Sequence, residues 1–376
     1  MARKGPGKKQ GRIDYFLFLI VFILCCIGLV MVLSASQYSA AYEHNGDSFY
    51  FLKRQLFNFS VGLVAMVLAV NIDYRLYSRT YRTIFFIGIG LVVIGMVTNL
   101  GATGGAGEGS KRWIELGPIR FQPSDVMKLS MLVCLAKMLT LQKNGFKDFF
   151  RDFMPYLIIT GLSCGVVAIN DLGTAIVMGI TALLLFVIAG VPKRYLLALM
   201  GSAAGFVAVM IIMKPYRLKR LTGFLDPWAD YYNNGYQVVQ SLLAIGSGGL
   251  MGVGLGQGGA KWFYLPAQYT DFIFAICVEE GGFLAGALIL LLFLAFTWRG
   301  LTIAMRVEDY FGSLLATGLT LIVGIQAFVN IAISLGMMPV TGINLPFISY
   351  GGTSLVISLA AVGVLLNISR HAKLDK

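Results

Sequence analysis

The chain has 376 residues, of which 57% are apolar and only 13% charged, and its mean hydropathy is +0.77. That composition excludes a string of soluble domains, a disordered chain and a small disulfide scaffold, and it describes a polytopic membrane protein. The net charge of +12 leaves two readings: an anionic partner such as nucleic acid, or the basic bias of cytoplasmic loops.

A helix needs about 20 mostly apolar residues to cross roughly 30 Å of hydrocarbon, and the chain offers about ten such stretches. In order they run near 15–35, 55–72, 83–100, 123–141, 153–169, 172–191, 195–213, 271–298, 311–336 and 346–368. The expected fold is an all-α polytopic membrane protein with about ten transmembrane helices and both termini cytoplasmic. It divides into a basic leader (1–14), a single transmembrane domain (15–368) and a tail (369–376), with a large extracytoplasmic loop (214–270) between helices 7 and 8. The first span follows Arg3, Lys4, Lys8, Lys9 and Arg12 and precedes Ser34-Ala35-Ser36, which resembles a signal-peptidase site. About 19 apolar residues are long for a signal peptide, so an uncleaved anchor is expected.

In this topology 18 of the 30 Lys and Arg residues fall in inner segments and 10 in the longer outer loops, while Lys128 and Lys137 lie within a span. The distribution obeys the positive-inside rule, so most of the net charge states orientation and a nucleic-acid role loses its support. The five cysteines (Cys25, Cys26, Cys134, Cys164 and Cys277) lie in apolar segments and read as core packing.

The unusual residues collect on the outer side. Arg120 and Gln122 lead into Pro123, Ser124 and Asp125, a helix start, and Lys128 lies about one and a half turns further in. Arg120 and Lys128 could meet an anion at the membrane surface, or snorkel. In the large loop Lys214, Arg217, Lys219 and Arg220 precede Trp228 and the run Tyr231 to Gln237. Cations followed by aromatics and amides, including Tyr236 and Gln237, suit a phosphorylated sugar ligand or, equally, an interfacial aromatic belt.

Gly254, Gly256 and Gly259 match G-x-G-x-x-G, but no strand precedes them, so a dinucleotide site is rejected. The glycines instead suit a bent or re-entrant backbone buried in protein. Asp271 then opens the next span, as a helix-capping acid or a functional carboxylate. Glu279 and Glu280 follow two turns deeper, where an ionised group costs about 2.5–3.5 kcal/mol or more and needs a partner such as Lys128 or Lys137, a cation or a water-filled cavity. With only His44 and His371, and no phosphate loop, a His-based triad, a His/Cys metal site and ATP chemistry are poorly served. Gly201-x-x-x-Gly205 and Gly282-x-x-x-Gly286 read as helix-packing motifs.

Several of these segments carry a resemblance: Lys111 to Ile114 with Arg120 to Ser124, Asp171 to Ala175, Asn234 to Gln237 with Gln240-Ser241, Thr270 to Phe274 with Glu279-Glu280-Gly281, and Pro339 to Ile343 with Leu345 to Gly352. Together they resemble the SEDS family (FtsW, RodA and SpoVE) over nearly the whole chain, and the FtsW/SpoVE branch more than RodA. The resemblance implies an inverting peptidoglycan glycosyltransferase of cell division or sporulation. Such an enzyme polymerises lipid II at the outer face of the bacterial cytoplasmic membrane and releases undecaprenyl pyrophosphate. It implies as partners the nascent glycan strand, a class B penicillin-binding protein and other divisome proteins. It also assigns the essential acid to Asp271 and importance to Arg120 and Lys128. Tyr269 departs from the His that many members carry before Thr-Asp.

On that reading Asp271 takes the proton of the acceptor hydroxyl. Arg120, Lys128, Arg217 and Arg220, in that order, or a divalent cation (Mg2+ or Mn2+), meet the pyrophosphate. Gln122, Tyr236, Gln237 and Glu279 complete the substrate-binding set. The competing classes are a lipid II flippase, whose path would use the intramembrane charges, and a structural divisome scaffold.

Overall fold

In a computed structural model of the chain, residues 11–97, 101–103, 111–116, 119–142 and 145–373 are described; for 101–103, 111, 112, 115, 116, 119 and 120 the description is of the backbone. Most of the basic leader (Arg3, Lys4, Lys8 and Lys9), Lys143 and Lys376 lie outside the described residues.

The elements run α1 (Tyr15–Glu43), α2 (Tyr50–Asn71), α3 (Arg75–Val97), β1 (Gly101–Thr103), β2 (Lys111–Leu116), β3 (Ile119–Phe121), α4 (Pro123–Leu141), a π turn (Phe149–Phe153) leading into α5 (Met154–Ala168), and α6 (Leu172–Ile188). They continue with α7 (Lys193–Ile212), α8 (Pro215–Leu225), α9 (Tyr236–Ser247), α10 (Ile273–Arg306), α11 (Tyr310–Ser334) and α12 (Thr353–Ser369). Among the described residues, 7 helical segments are long and apolar enough to cross a membrane, and α6 and α12 are shorter apolar helices beside them. Aspartates start several helices by accepting orphan backbone N–H groups: Asp14 from Leu17 (2.9 Å), Asp171 from Thr174 (3.0 Å) and Asp309 from Gly312 (3.1 Å). Proline occupies the first turn of α4, α5 and α8, where its missing N–H costs nothing.

α11 is the axis of the bundle, buried along most of its length and packed on α4, α6, α9, α10 and α12. α2 lies along α12, and α1 bridges α2 and α10. α1 runs unbroken through Ser34, Ala35 and Ser36, all of them buried. α7 stands apart, with only Tyr195 buried.

Several expectations are corrected. The chain is not purely helical: β1, β2 and β3 form a small antiparallel sheet between α3 and α4. Alternation along β2 turns Ile114 inward against Gly95 and Pro123, and that periodicity is too brief to read in a Gly-rich stretch. The segment 214–270 is not an open loop, because it holds α8 and α9. The last span starts at Thr353 rather than 346, since Pro346 and the positive-φ residues Phe347 and Gly352 keep 346–352 out of the helix. Cys25, Cys134 and Cys277 are buried, but Cys26 is exposed and Cys164 only partly covered. Among the described residues nothing lies within 4 Å of where a Cβ on Gly201 or Gly205 would be, so neither brings a second helix close; Gly282 breaks a helix instead of packing one.

Gly28 on α1 lets that helix touch the 345–349 turn: a Cβ there would lie 2.5 Å from the Phe347 carbonyl oxygen and 2.7 Å from Ile348 Cα. Backbone cannot yield as a flexible side chain does. Gly28→Ala is expected to cost about 1–3 kcal/mol, measured as a lower unfolding temperature of the detergent-solubilised protein.

Candidate active site

Asp271 sits two residues ahead of the start of α10. The helix is capped at Phe272 without a side-chain hydrogen bond, so Asp271 is not its N-cap. Its backbone is held from α11, where Asn330 Nδ2 donates to the carbonyls of Asp271 and Ile343, each at 2.7 Å. The turn after Ile343 closes on the same strip of chain. Ser349 Oγ donates to the Thr270 carbonyl (2.6 Å), and the Tyr350 N–H donates to the Tyr269 carbonyl (2.9 Å). Tyr269, the departure from the family pattern, packs its ring on Phe51 (centroids 4.6 Å apart) and Tyr350 (5.9 Å). It serves here as part of an aromatic wedge under the loop that carries Asp271.

One helical turn before Asn330, and therefore on the same face of α11, Gln326 makes a second grip. Its Nε2 donates to the Asn344 carbonyl (2.9 Å), and its Oε1 accepts from Lys128 Nζ (2.9 Å). Lys128 also pairs with Asp125 at 2.7 Å along α4, and both are buried. Two amides one turn apart thus tie Asp271 and Lys128 to adjacent residues of a single loop. Gln122, the N-cap of α4, donates its N–H to Thr353 Oγ1 (3.2 Å) and its Nε2 to Asp171, the N-cap of α6 (3.1 Å). Gly173, in the first turn of α6, lies against Thr341 and Ile343.

The starts of α4, α6, α10 and α12 therefore meet around the 339–352 segment. Helix N-termini carry the positive end of the peptide dipole and point N–H groups outward, an arrangement that favours an anion. Among the described residues, Asp125 Oδ2, Asn330 Oδ1 and Thr341 Oγ1 are buried in this region without a hydrogen-bond partner. Buried polar atoms need partners, and these three leave acceptor capacity unused beside Asp271 and Lys128.

The remaining predicted residues are placed differently. Arg120 lies on β3, with its backbone opposite Glu115; its side chain is outside the description. Arg217 is buried and spends its guanidinium on the carbonyls of Met210 (2.9 Å), Ala168 (2.8 Å) and Ile169 (3.0 Å), closing the C-terminal end of α5. Arg220 reaches the edge of the site through the Val340 carbonyl at 3.4 Å. Tyr236 and Gln237 open α9 and are half-buried, with Tyr236 packed on Tyr231 (6.0 Å). Glu279 accepts the N–H groups of Gly259 (2.7 Å) and Ala260 (3.1 Å), so its carboxylate shapes the glycine-rich segment.

The partner of Glu280 is Lys261, and neither Lys128 nor Lys137. Lys261 Nζ lies 2.8 Å from Glu280 Oε1 with both side chains fully buried, and Ser34 of α1 donates to the same carboxylate (2.7 Å). Gly256 N–H takes the other oxygen at 3.0 Å. The pair sits where α10 breaks at Gly282 (φ 72°). The glycine run repairs the break: the N–H groups of Val253 and Gly254 donate to the carbonyls of Glu279 and Glu280 (3.0 and 3.1 Å), and those of Phe283 and Leu284 donate to Gly249 and Leu250 (2.9 and 3.3 Å). Non-helical backbone at membrane depth is tolerated when it is buried and satisfied in this way. Positive φ at Gly249, Gly252, Gly254 and Gly256 makes glycine necessary there.

The chain belongs to the cell cycle protein family that includes FtsW, RodA and SpoVE, whose profile matches residues 15–374. It is 44% identical to stage V sporulation protein E of Bacillus subtilis (strain 168) over 374 residues, covering 97% of this chain and 99% of that one. It is also 39% identical to a probable peptidoglycan glycosyltransferase FtsW of Geobacter sp. (strain M18), over 96% of this chain and 97% of the relative. Among solved structures, a chain of a peptidoglycan synthase complex that coordinates polymerization and crosslinking superposes with a TM-score of 0.78 at 29% identity, covering 96% of this chain and 99% of that one. The rod shape determining protein RodA of Thermus thermophilus gives 0.70 at 26% identity, over 96% and 98%.

Proposed function

We propose that this protein is a peptidoglycan glycosyltransferase that polymerises lipid II at the outer face of the bacterial cytoplasmic membrane, in cell division or sporulation. The observation that carries the reading is the joining of Asp271 and Lys128 through Asn330 and Gln326 to one loop at the meeting of four helix starts. Family membership supports the activity, and the 18 basic residues in inner segments support an orientation that puts this loop outside. Counting α4, α6 and α12 with the 7 longer segments agrees with about ten spans.

In the mechanism, the acceptor sugar hydroxyl loses its proton to the Asp271 carboxylate as its oxygen bonds to the donor's anomeric carbon. The bond from that carbon to the pyrophosphate breaks, and undecaprenyl pyrophosphate leaves with the electron pair. One displacement inverts the anomeric centre. Lys128 and the N–H groups at the helix starts meet the charge that builds on the leaving group. Arg120 precedes the start of α4 in the chain and Arg220 reaches the Val340 carbonyl, whereas Arg217 ties α8 to the ends of α5 and α7. The described residues bring no three of His, Cys, Asp or Glu together as a metal cage, so no step here is routed through a cation. A Mg2+ or Mn2+ ion would be held chiefly by the pyrophosphate oxygens and would supply charge neutralisation to the leaving group.

The cross-linking partner is a class B penicillin-binding protein, supported by the superposable chain from a complex of polymerization and crosslinking. Lipid II supplied to the detergent-solubilised protein with that partner is expected to yield glycan chains. A flippase has no sidedness to act on in detergent and would yield none. Lys128→Met is expected to weaken lipid II binding by roughly 10- to 100-fold, the equivalent of about 1.5–3 kcal/mol for a hydrogen bond to a charged group. A purely structural lysine would instead show a lower unfolding temperature with affinity intact in the folded fraction.

A further inference from the structure

At the end of the bundle remote from Asp271, the start of α3, the end of α4 and the start of α5 enclose an open cavity of about 450 Å³. α4 begins beside the candidate site and ends at this cavity, and its 19 residues separate the two by about 28 Å at 1.5 Å per residue. The cavity therefore belongs to the opposite membrane face and takes no part in the polymerase mechanism.

Its walls and its mouth differ in chemistry. Phe85, Phe86, Met138 and Ile159 give an apolar lining, and Arg82 and Arg151 stand at the rim, both exposed. Arg82 is steered by Tyr81, whose hydroxyl accepts from its Nε at 2.9 Å and whose ring lies 5.5 Å from the guanidinium carbon. The acid on the rim, Asp152, is engaged from within: its Oδ2 accepts the N–H groups of Lys147 (2.9 Å) and Asp148 (3.0 Å).

The surroundings are basic as well. Arg75 and Arg79 precede Arg82 at i, i+4 and i+7 on α3 and so share its face. The start of α7, with Lys193 and Arg194, is tied to this end by the Tyr195 hydroxyl on the Lys147 carbonyl (3.3 Å). Asp73, Asp148, Asp152 and Asp309 are the acids described in the same region, fewer than its cations. A bilayer-embedded cleft with an apolar floor and a cationic rim complements a molecule with a phosphate head and hydrocarbon tails, and basic pockets between transmembrane helices on the cytoplasmic side recognise lipid head groups. A free anion would gain nothing from the apolar floor, and an acyl chain alone would gain nothing from the two guanidinium groups.

We propose that this cavity is a binding site for an anionic phospholipid of the leaflet opposite the catalytic loop, with its phosphate between Arg82 and Arg151 and an acyl chain along Phe85, Phe86 and Ile159. The proposed orientation makes this the cytoplasmic leaflet. The test reads binding only, so it stands or falls separately from polymerisation.

The full chain is reconstituted in nanodiscs of phosphatidylcholine with and without phosphatidylglycerol, and lipids retained after transfer to detergent are counted by native mass spectrometry. Wild-type protein is expected to retain phosphatidylglycerol over phosphatidylcholine. The Arg82→Ala/Arg151→Ala variant should lose that preference by roughly thirtyfold, at about 1 kcal/mol per basic contact. Ile159→Trp, which fills the floor and keeps both cations, should lose it too, while both variants unfold at the wild-type temperature in phosphatidylcholine alone. Equal retention of the two lipids by wild-type protein would overturn the proposal. So would full retention by Ile159→Trp, which marks diffuse surface attraction, or displacement of the lipid by inorganic phosphate at constant ionic strength, which marks a simple anion site.

Discussion

Lys261→Met is expected to destabilise the protein by about 3–5 kcal/mol, the cost of leaving a buried charge without its partner. Glu280 is fully buried and receives Lys261, Ser34 and the Gly256 N–H. Without the ammonium, a carboxylate remains at the break in α10, flanked by Glu279 and the glycine run that satisfies the broken helix. The effect should exceed that of any exposed charge removal, because water cannot replace the lost partner. It is read as a large fall in unfolding temperature and in yield of monodisperse protein. Adding Glu280→Gln should recover much of the loss, since removing both charges removes the desolvation penalty that the pair was offsetting. A Lys261→Met protein as stable as wild type would show that the pair contributes nothing to the fold.

That pair also marks the limit of what the residue pattern discloses. Two glutamates inside an apolar span require a partner, and that much is readable from transfer energies. The identity of the partner is not readable, because Lys261 lies in a segment that looks extramembrane and reaches its site only when the glycine run folds into the gap at Gly282. Lys261 is consequently no part of the outward-facing charge available to an anion.

Gln326 and Asn330 are a different case. Two amides one turn apart in an otherwise apolar helix are a legible signal of a polar face, and the sequence reading passed over them. Arg217 shows the reverse error, since a cation in a basic cluster looks like a ligand for phosphate until its donors are found on backbone carbonyls. The helical spans themselves were legible because hydrocarbon thickness sets their length. The three strands and the non-helical 346–352 segment were not, because each depends on a few residues held by tertiary contacts.

Asp271→Asn is expected to leave a folded, membrane-inserted protein that binds lipid II with affinity near that of wild type. The substitution keeps the side chain's shape and leaves untouched the backbone carbonyl that Asn330 holds. It removes the one property the mechanism requires, a basic oxygen for the acceptor hydroxyl proton. General base catalysis contributes about 10²–10⁴ in rate, so chain formation should fall by at least that range. The decisive measurement is the glycan product formed from lipid II by purified wild-type and Asp271→Asn proteins, each with the class B partner and each shown to bind lipid II. Long chains from the wild type and none from the bound, folded variant are predicted; equal chains from both would contradict the assignment of Asp271 as the base.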